Sequence, residues 1–166
     1  MEGSQYELSS NGDFTVFEFT SDGKSGSIYK IVKYSKTLNE NVYNLGLGDI
    51  IFNDDTTVEV DDINLSNNSD WNKVINTVVY SVYIFSSVYP KAYVLFGSNN
   101  TVKMRLYRMF LSRNLIEITK NFVVYGAVHN AEGKLVNVPF TTSQDVEGYF
   151  VKRINLNKNY NVISYK

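Results

Sequence analysis

The feature that most constrains this chain is a continuous segment, residues 92–113, with the sequence AYVLFGSNNTVKMRLYRMFLSR. Residues 92–96 are apolar throughout and predict a central strand. The Gly-Ser-Asn-Asn that follows predicts a turn, and residues 100–113 carry a helical period. A strand that runs through a polar turn into a helix can present backbone N–H groups to an anion. The segment therefore predicts a candidate anion site at the start of a helix.

Alternation of apolar and polar residues predicts four strands in the first part of the chain, at 13–20, 27–35, 42–52 and 57–65. The connection SDGKSG is rich in turn residues and predicts a hairpin between the first two strands. Gly46 and Gly48, both inside the third strand, favour a bulge or a close backbone approach. The first part of the chain therefore predicts a four-stranded antiparallel meander.

A long helix is predicted from residue 71 to the neighbourhood of Pro90, which would stop it. Ser69 or Asp70 is the expected N-cap. Apolar residues then recur at a spacing of three to four: Trp71, Val74, Ile75, Val78, Val82, Phe85 and Tyr89. Later strands are expected at 122–128, 134–140 and 147–154, with a turn at 130–133.

These elements predict the α+β class, with an antiparallel or mixed sheet and two α-helices packed on one face. At 166 residues, the chain is expected to be a single domain, 1–166, with 1–10 and 155–166 as loose ends. No stretch reaches the roughly 18 apolar residues of a membrane span, and the N-terminus has no signal-peptide pattern. The chain has no cysteine, which excludes disulfide and thiolate chemistry. We expect a cytoplasmic protein that contacts no membrane.

The net charge of −1 conceals an asymmetry between the two parts of the sequence. Residues 1–69 hold four lysines against twelve acids, a net −8, and residues 70–166 hold twelve basic residues against five acids, a net +7. Two explanations stay open: the parts neutralise each other within one fold, or the second part presents a basic face to an anionic partner.

Few residues are suited to catalysis. His129 is the only histidine, so any histidine-based triad, metal site or general base would have to use it, and we expect a surface role instead. The acids between Asp49 and Asp62 could hold Mg²⁺ or Mn²⁺ for a metal-dependent nuclease, but their spacing matches no metal loop. They also fit a solvated hairpin tip. We expect no catalytic residue, no metal and no cofactor.

The helix predicted at 100–113 carries the sharpest candidate site. At 100° per residue, Val102, Leu106, Met109 and Phe110 fall on one side, with Met104, Tyr107 and Leu111 nearly opposite. Such a helix is expected to be mostly buried, with a narrow polar stripe of Thr101, Arg105, Arg108 and Ser112. The stripe meets solvent, acids of the first part of the chain, or a ligand. The tentative ligand-binding set, for phosphate or nucleic acid, is Ser98, Asn99, Lys103, Arg105 and Arg108.

Two further asparagines, Asn67 and Asn68, are secondary candidates because helix capping alone does not explain them. For nucleic acid, Tyr29, Tyr34 and Tyr43 are expected to offer stacking surfaces. The strands that carry these tyrosines are also the acidic part of the chain, which disfavours a long groove that tracks a phosphate backbone.

The stretches DFTVFEFTSDG, YNLGLGD, DDINLSNNSDWNKV and FGSNN with RLYRM resemble a family of uncharacterised domains of about 150 residues, found mainly in Bacteroidota. The resemblance covers residues 6–154 in the same order, and the SNN-x-D helix start and the RLYRM helix are its most specific parts. Relatives often carry Thr, Pro or Arg in the turn where this chain has Asn99 to Val102. The resemblance implies no established activity. It implies a place in mobile or defence-type gene cassettes by association.

Taken together, these patterns favour a non-catalytic, cytosolic binding or regulatory module that acts through a protein partner or self-association. The alternative is binding of nucleic acid or nucleotide phosphate through residues 97–108. A metal-dependent nuclease comes third.

Overall fold

The computed structural model describes residues 3–52, 58–61 and 68–154, with the backbone alone at 51, 52 and 58–61. The chain divides into two compact units, Met1–Val88 and Tyr89–Lys166. Each unit combines strands with helix, and every strand pair within a unit is antiparallel. The predicted α+β class is confirmed.

The first unit contains an antiparallel meander. Its strands are β1 (Ser9–Ser10), β2 (Val16–Gly23), β3 (Gly26–Lys36), β4 (Val42–Phe52) and β5 (Val58–Asp61). Each pairs with the next one along the chain, which confirms the predicted four-stranded meander. The short β1 is an addition, because a two-residue strand has no sequence period to reveal it.

Two details of the meander differ from expectation. Strand β2 begins at Val16 and not at residue 13, because Phe14 adopts a positive φ of 59° and the Asn11 side chain accepts hydrogen bonds from the N–H groups of Thr15 and Val16. The bulge predicted at Gly46 and Gly48 is absent, since the β3–β4 register runs without interruption from Lys30 opposite Asp49 to Lys36 opposite Tyr43.

Helix α1 (Trp71–Val88) completes the first unit and ends two residues before Pro90, as predicted. Its buried residues follow the helical period, and Phe85 is fully buried. Tyr34 of β3 stacks on Phe85 with ring centroids 4.0 Å apart, and its hydroxyl lies 2.7 Å from the hydroxyl of Ser81. Tyr34 is therefore a core residue, and the prediction that it offers a base-stacking surface is wrong.

A hydrogen-bonded cluster ties the start of α1 to the meander. Asp70 directly precedes the helix, and its backbone carbonyl accepts from the N–H of Val74, as an N-cap residue does. The Asp70 carboxylate accepts from the hydroxyls of Tyr6 at 2.6 Å and Ser21 at 2.5 Å. Burial raises the pKa of Asp70, but the hydrogen bonds from Ser21 and Tyr6, together with a backbone hydrogen bond and the charge of Lys30, leave the pKa below its ordinary value. Tyr6 is itself buried, so the chain is held in place from residue 6.

Within its described residues, 89–154, the second unit contains four strands and two helices: β6 (Tyr93–Phe96), α2 (Thr101–Arg113), α3 (Leu115–Ile118), β7 (Phe122–His129), β8 (Leu135–Pro139) and β9 (Gly148–Arg153). The strand order is β6-β9-β7-β8. Strand β9 thus lies between β6 and β7, and it is buried along Gly148 to Val151. No helix within the described residues has the length and apolar character needed to cross a membrane.

Candidate functional site

The candidate site is a groove in the second unit, between the start of α2 and the segment that leads into β9. We call it the α2 groove; it is lined by residues 98–108 on one side and residues 144–149 on the other and has a volume of about 480 Å³. Pairing of β6 with β9 creates it, because the register sets Phe96 opposite Tyr149 and so brings the turn after β6 next to the start of β9. Gly97 permits this approach: a Cβ there would lie 2.8 Å from the carbonyl oxygen of Glu147.

The N-terminus of α2 is capped from within the chain. The Asn100 side-chain oxygen accepts hydrogen bonds from the N–H groups of Val102 at 2.9 Å and Lys103 at 3.2 Å. The N–H of Asn100 in turn donates to the Ser98 hydroxyl at 3.1 Å. The N–H groups of Val102 and Lys103 are therefore already used. An anion in the α2 groove would depend on side chains rather than on these backbone groups.

The two arginines of the predicted stripe both line the α2 groove, as do Ser98 and Asn99. The Arg108 guanidinium lies 4.0 Å from the Asp145 carboxylate, whose side chain is fully exposed. Within the described ranges, Arg105 has no hydrogen-bond or ion-pair partner. Arg108 thus faces an acid of the second part of the sequence, whereas the acids expected as its partners were those of the first part.

The remaining predicted residues lie elsewhere. Lys103 does not line the α2 groove. Asn68 belongs to the first unit, where its buried amide accepts from the N–H of Ser25 at 2.7 Å and donates to the Gly26 carbonyl at 2.8 Å and the Ser21 hydroxyl at 3.1 Å. Helix capping did not explain why the chain has Asn68 at this position. These hydrogen bonds give it a structural role. Asn67 lies outside the described residues.

The sequence alone did not single out Gln144, Asp145 and Tyr149, which form the opposite wall of the α2 groove. Tyr149 is only 2% exposed, and its hydroxyl makes no hydrogen bond with any residue in the described part of the chain. Burial raises the pKa of Tyr149, Arg108 lowers it and Asp145 raises it, so the hydroxyl stays protonated at neutral pH. The one hint in the sequence was the polar stretch TTSQDVE directly before the last strand.

Helix α2 is not mostly buried, and that prediction was wrong. Leu111 is its one buried residue, and the ring of Tyr107 packs edge-on against Phe96 at 5.8 Å. The opposite side, which we call the α2 apolar row, consists of Val102, Leu106 and Met109, exposed by 65%, 37% and 37%. The helical period predicted two apolar sides correctly, but it could not indicate that only one of them would be covered.

The residues considered for histidine-based or metal-dependent catalysis make local contacts that explain them without catalysis. The His129 ring nitrogen Nδ1 lies 2.6 Å from the Glu147 carboxylate, and both side chains are more than half exposed. Asp49 is buried and paired with Lys30 at 2.5 Å, so its charge is already balanced. Among the described residues no three His, Cys, Asp or Glu side chains gather as metal ligands would. Asp54, Asp55 and Asp62 lie outside the described residues, as do the side chains of Glu59 and Asp61.

Fold and groove define an α+β protein with an open polar groove beside an exposed apolar helix face. The chain belongs to a family described as "Family of unknown function (DUF6934)", which it matches over residues 2–154. This match extends over nearly the same range as the resemblance of residues 6–154. No curated protein and no solved structure matches the chain.

Proposed function

We propose that this protein is a non-catalytic, cytosolic binding module whose partner protein packs on the α2 apolar row. The observation that carries the proposal is the exposure of Val102, Leu106 and Met109 along one side of a helix that buries a single residue. Apolar side chains that line up on an exposed helix face are typical of surfaces that are covered in a complex.

The charges beside the row suggest what the partner offers. Arg105 and Arg113 are exposed on the same helix, at either end of the stretch that holds Leu106 and Met109. An apolar partner surface with acidic residues at its rim would match both features. Two copies of the chain that met row to row would bring these arginines together, so we favour a different protein over self-association.

Replacement of the row by carboxylates tests the proposal. Leu106→Glu with Met109→Glu keeps good helix formers but removes the apolar contact, and each loss should weaken the complex at least about tenfold, since a buried Leu or Met contributes roughly 1.5–3 kcal/mol. The matched control is Tyr80→Glu on α1, a large side chain with 43% exposure. The readouts are capture of proteins from the native host and light scattering of the purified chain.

Capture of one protein by the wild type and by Tyr80→Glu, but not by the double variant, supports the proposal. Equal capture by all three proteins contradicts it. A defined oligomer that the double variant alone breaks would support the row as an interface but would make the partner a second copy of the chain.

A second candidate, binding of nucleic acid or nucleotide phosphate, is favoured by the presence of Arg105 and Arg108 in the α2 groove. A salt-dependent shift of single-stranded oligonucleotides that Arg105→Ala with Arg108→Ala weakens would support it. Of the tyrosines expected to stack bases, Tyr29 is half exposed, but Tyr34 is buried, so fewer stacking surfaces are available than expected.

The genomic setting is also a proposal, and the resemblance alone supports it. We propose a source among the Bacteroidota and a gene within a defence-type cassette, where a module that binds a partner protein would regulate a neighbouring gene product. Inspection of neighbouring genes tests this, and a neighbourhood of housekeeping genes in several genomes would contradict it.

A further inference from the structure

The wall of the α2 groove contains one buried polar atom that lacks a partner. The side-chain oxygen Oε1 of Gln144 is buried and has no hydrogen-bond partner within the described residues. Buried polar groups are nearly always hydrogen-bonded, and leaving one unpaired is costly. Since an amide oxygen only accepts, this atom suits a ligand that carries a hydrogen-bond donor. The hydroxyl of Tyr149, which also has no partner within the described residues, is a second polar group available to such a ligand.

The charges in the α2 groove indicate the sign of that ligand. Arg105 and Arg108 stand three residues apart on α2, so both guanidinium groups reach the same side of the groove. Arg108 has the Asp145 carboxylate 4.0 Å away, but the Asp145 side chain is fully exposed. A solvent-exposed ion pair at this distance is weak, so an incoming anion can displace it.

The size and the remaining lining indicate a small molecule rather than a polymer. A volume of about 480 Å³ is within the range of small-ligand pockets. Met104, Val146 and the ring of Tyr149 add an apolar wall beside the arginines. An exposed carboxylate at position 145 would repel the neighbouring phosphates of a nucleic-acid strand. The lining therefore suits one anionic group attached to a compact apolar or aromatic body.

We propose that the α2 groove binds a small phosphomonoester, whose phosphate is held by Arg105 and Arg108 and accepts a hydrogen bond from the Tyr149 hydroxyl. Asp145 then acts as a competitor that occupies Arg108 when the ligand is absent. The proposal rests on the second candidate function, which it narrows from phosphate groups in general to a mononucleotide-sized ligand. Val102 and Arg105 border both the groove and the partner surface, but Leu106 and Met109 do not line the groove, so substitutions can separate the two proposals.

The test is a calorimetric titration of the 166-residue chain with AMP, with inorganic phosphate and with an oligothymidylate, at constant ionic strength. AMP should bind best. Arg105→Gln and Arg108→Gln should each weaken AMP about tenfold or more, and Tyr149→Phe should weaken it several-fold, because bonds to a charged group are the stronger ones. Arg113→Gln, the same change of charge at the last turn of α2, should have no effect.

Asp145→Asn is the most discriminating variant, because it should strengthen AMP binding, whereas the arginine and tyrosine substitutions should weaken it. Removal of the competing carboxylate should strengthen AMP binding about 1.5-fold to fivefold, in keeping with the modest strength of an exposed pair. The side chain is fully exposed, so this variant does not depend on whether groove substitutions affect folding.

Several results would overturn the proposal. They are absence of AMP and phosphate binding at millimolar concentration, binding that the Arg108 and Asp145 variants leave unchanged, and binding of the oligonucleotide alone with a steep salt dependence. The last result would establish the broader nucleic-acid candidate while rejecting the small ligand.

Discussion

At the scale of single residues, the side chains that hold this fold together are polar ones placed between elements distant in sequence. Asn68 joins the start of α1 to the β2–β3 hairpin, and Asp70 joins it to Tyr6 and Ser21. From the sequence, Asn68 stood out as unexplained and Asp70 as a cap. Their actual partners lie more than 40 residues away, and no local pattern specifies such contacts.

Asn68→Ala should destabilise the protein by about 2–3 kcal/mol, because it leaves the N–H of Ser25 and the Gly26 carbonyl without their partner. Chemical denaturation measures this. The matched control is Asn99→Ala, an exposed asparagine that should change the free energy of unfolding by about 0.5 kcal/mol or less. Equal effects of the two substitutions would show that the Asn68 bonds contribute nothing.

Asp70 should make stability depend on pH in the acid range. Its pKa in the folded protein is lowered, so the stabilisation is complete above the unfolded pKa of about 3.9 and is lost as pH falls through the lower folded pKa. Denaturation curves between about pH 5 and pH 2 should therefore fall less steeply with pH for Asp70→Asn than for the wild type. Parallel pH profiles for the two proteins would contradict this role.

At the scale of elements, the sequence predicted the secondary structure of each segment better than it predicted which of its faces are buried. The boundaries of α1, α2 and β4 follow from hydrophobic period, Pro90 and the Asn100 cap, all of which are local signals. Burial of α2 was predicted wrongly, because a second apolar side looks the same in a sequence whether the chain or a partner covers it. The second apolar side of α2, which was expected to be buried and is exposed, is the α2 apolar row and the candidate interface.

The approach of β6 to β9 at Gly97 is the element-scale contact on which the α2 groove depends. Gly97→Ala would place a Cβ 2.8 Å from the Glu147 carbonyl oxygen and 3.1 Å from the Gly148 Cα, both of them backbone atoms that cannot rotate away. We expect destabilisation of about 1–3 kcal/mol and weaker AMP binding, because the two walls move apart.

Gly46→Ala is the control for Gly97→Ala. A Cβ at Gly46 would meet nothing within 4 Å, and the residue lies in β4. This substitution should be neutral or stabilising by up to about 1 kcal/mol, since it reduces the freedom of the unfolded chain. Thermal denaturation of both variants, with AMP titration, checks the pair; a Gly97→Ala protein as stable as Gly46→Ala would mean that the approach is not tight.

At the scale of the whole molecule, the class of fold could be predicted and the groove could not. Strands and helices can be predicted from the spacing of apolar residues in the sequence. This spacing predicted the α+β class and the meander of the first unit. The order β6-β9-β7-β8 pairs β9 with residues that lie more than 20 positions earlier in the sequence, and sequence period carries no information about such pairing. Gln144, Asp145 and Tyr149 therefore became site residues only through topology.

If a partner protein covers the α2 apolar row, site-specific photo-crosslinking should capture it. A photoreactive phenylalanine analogue replaces Leu106 in one variant and Tyr80 in the other, and each variant is expressed in the native host and irradiated. We expect a discrete cross-linked adduct with one protein from position 106 and no such adduct from position 80. No adduct from position 106, or the same adducts from both positions, would contradict it.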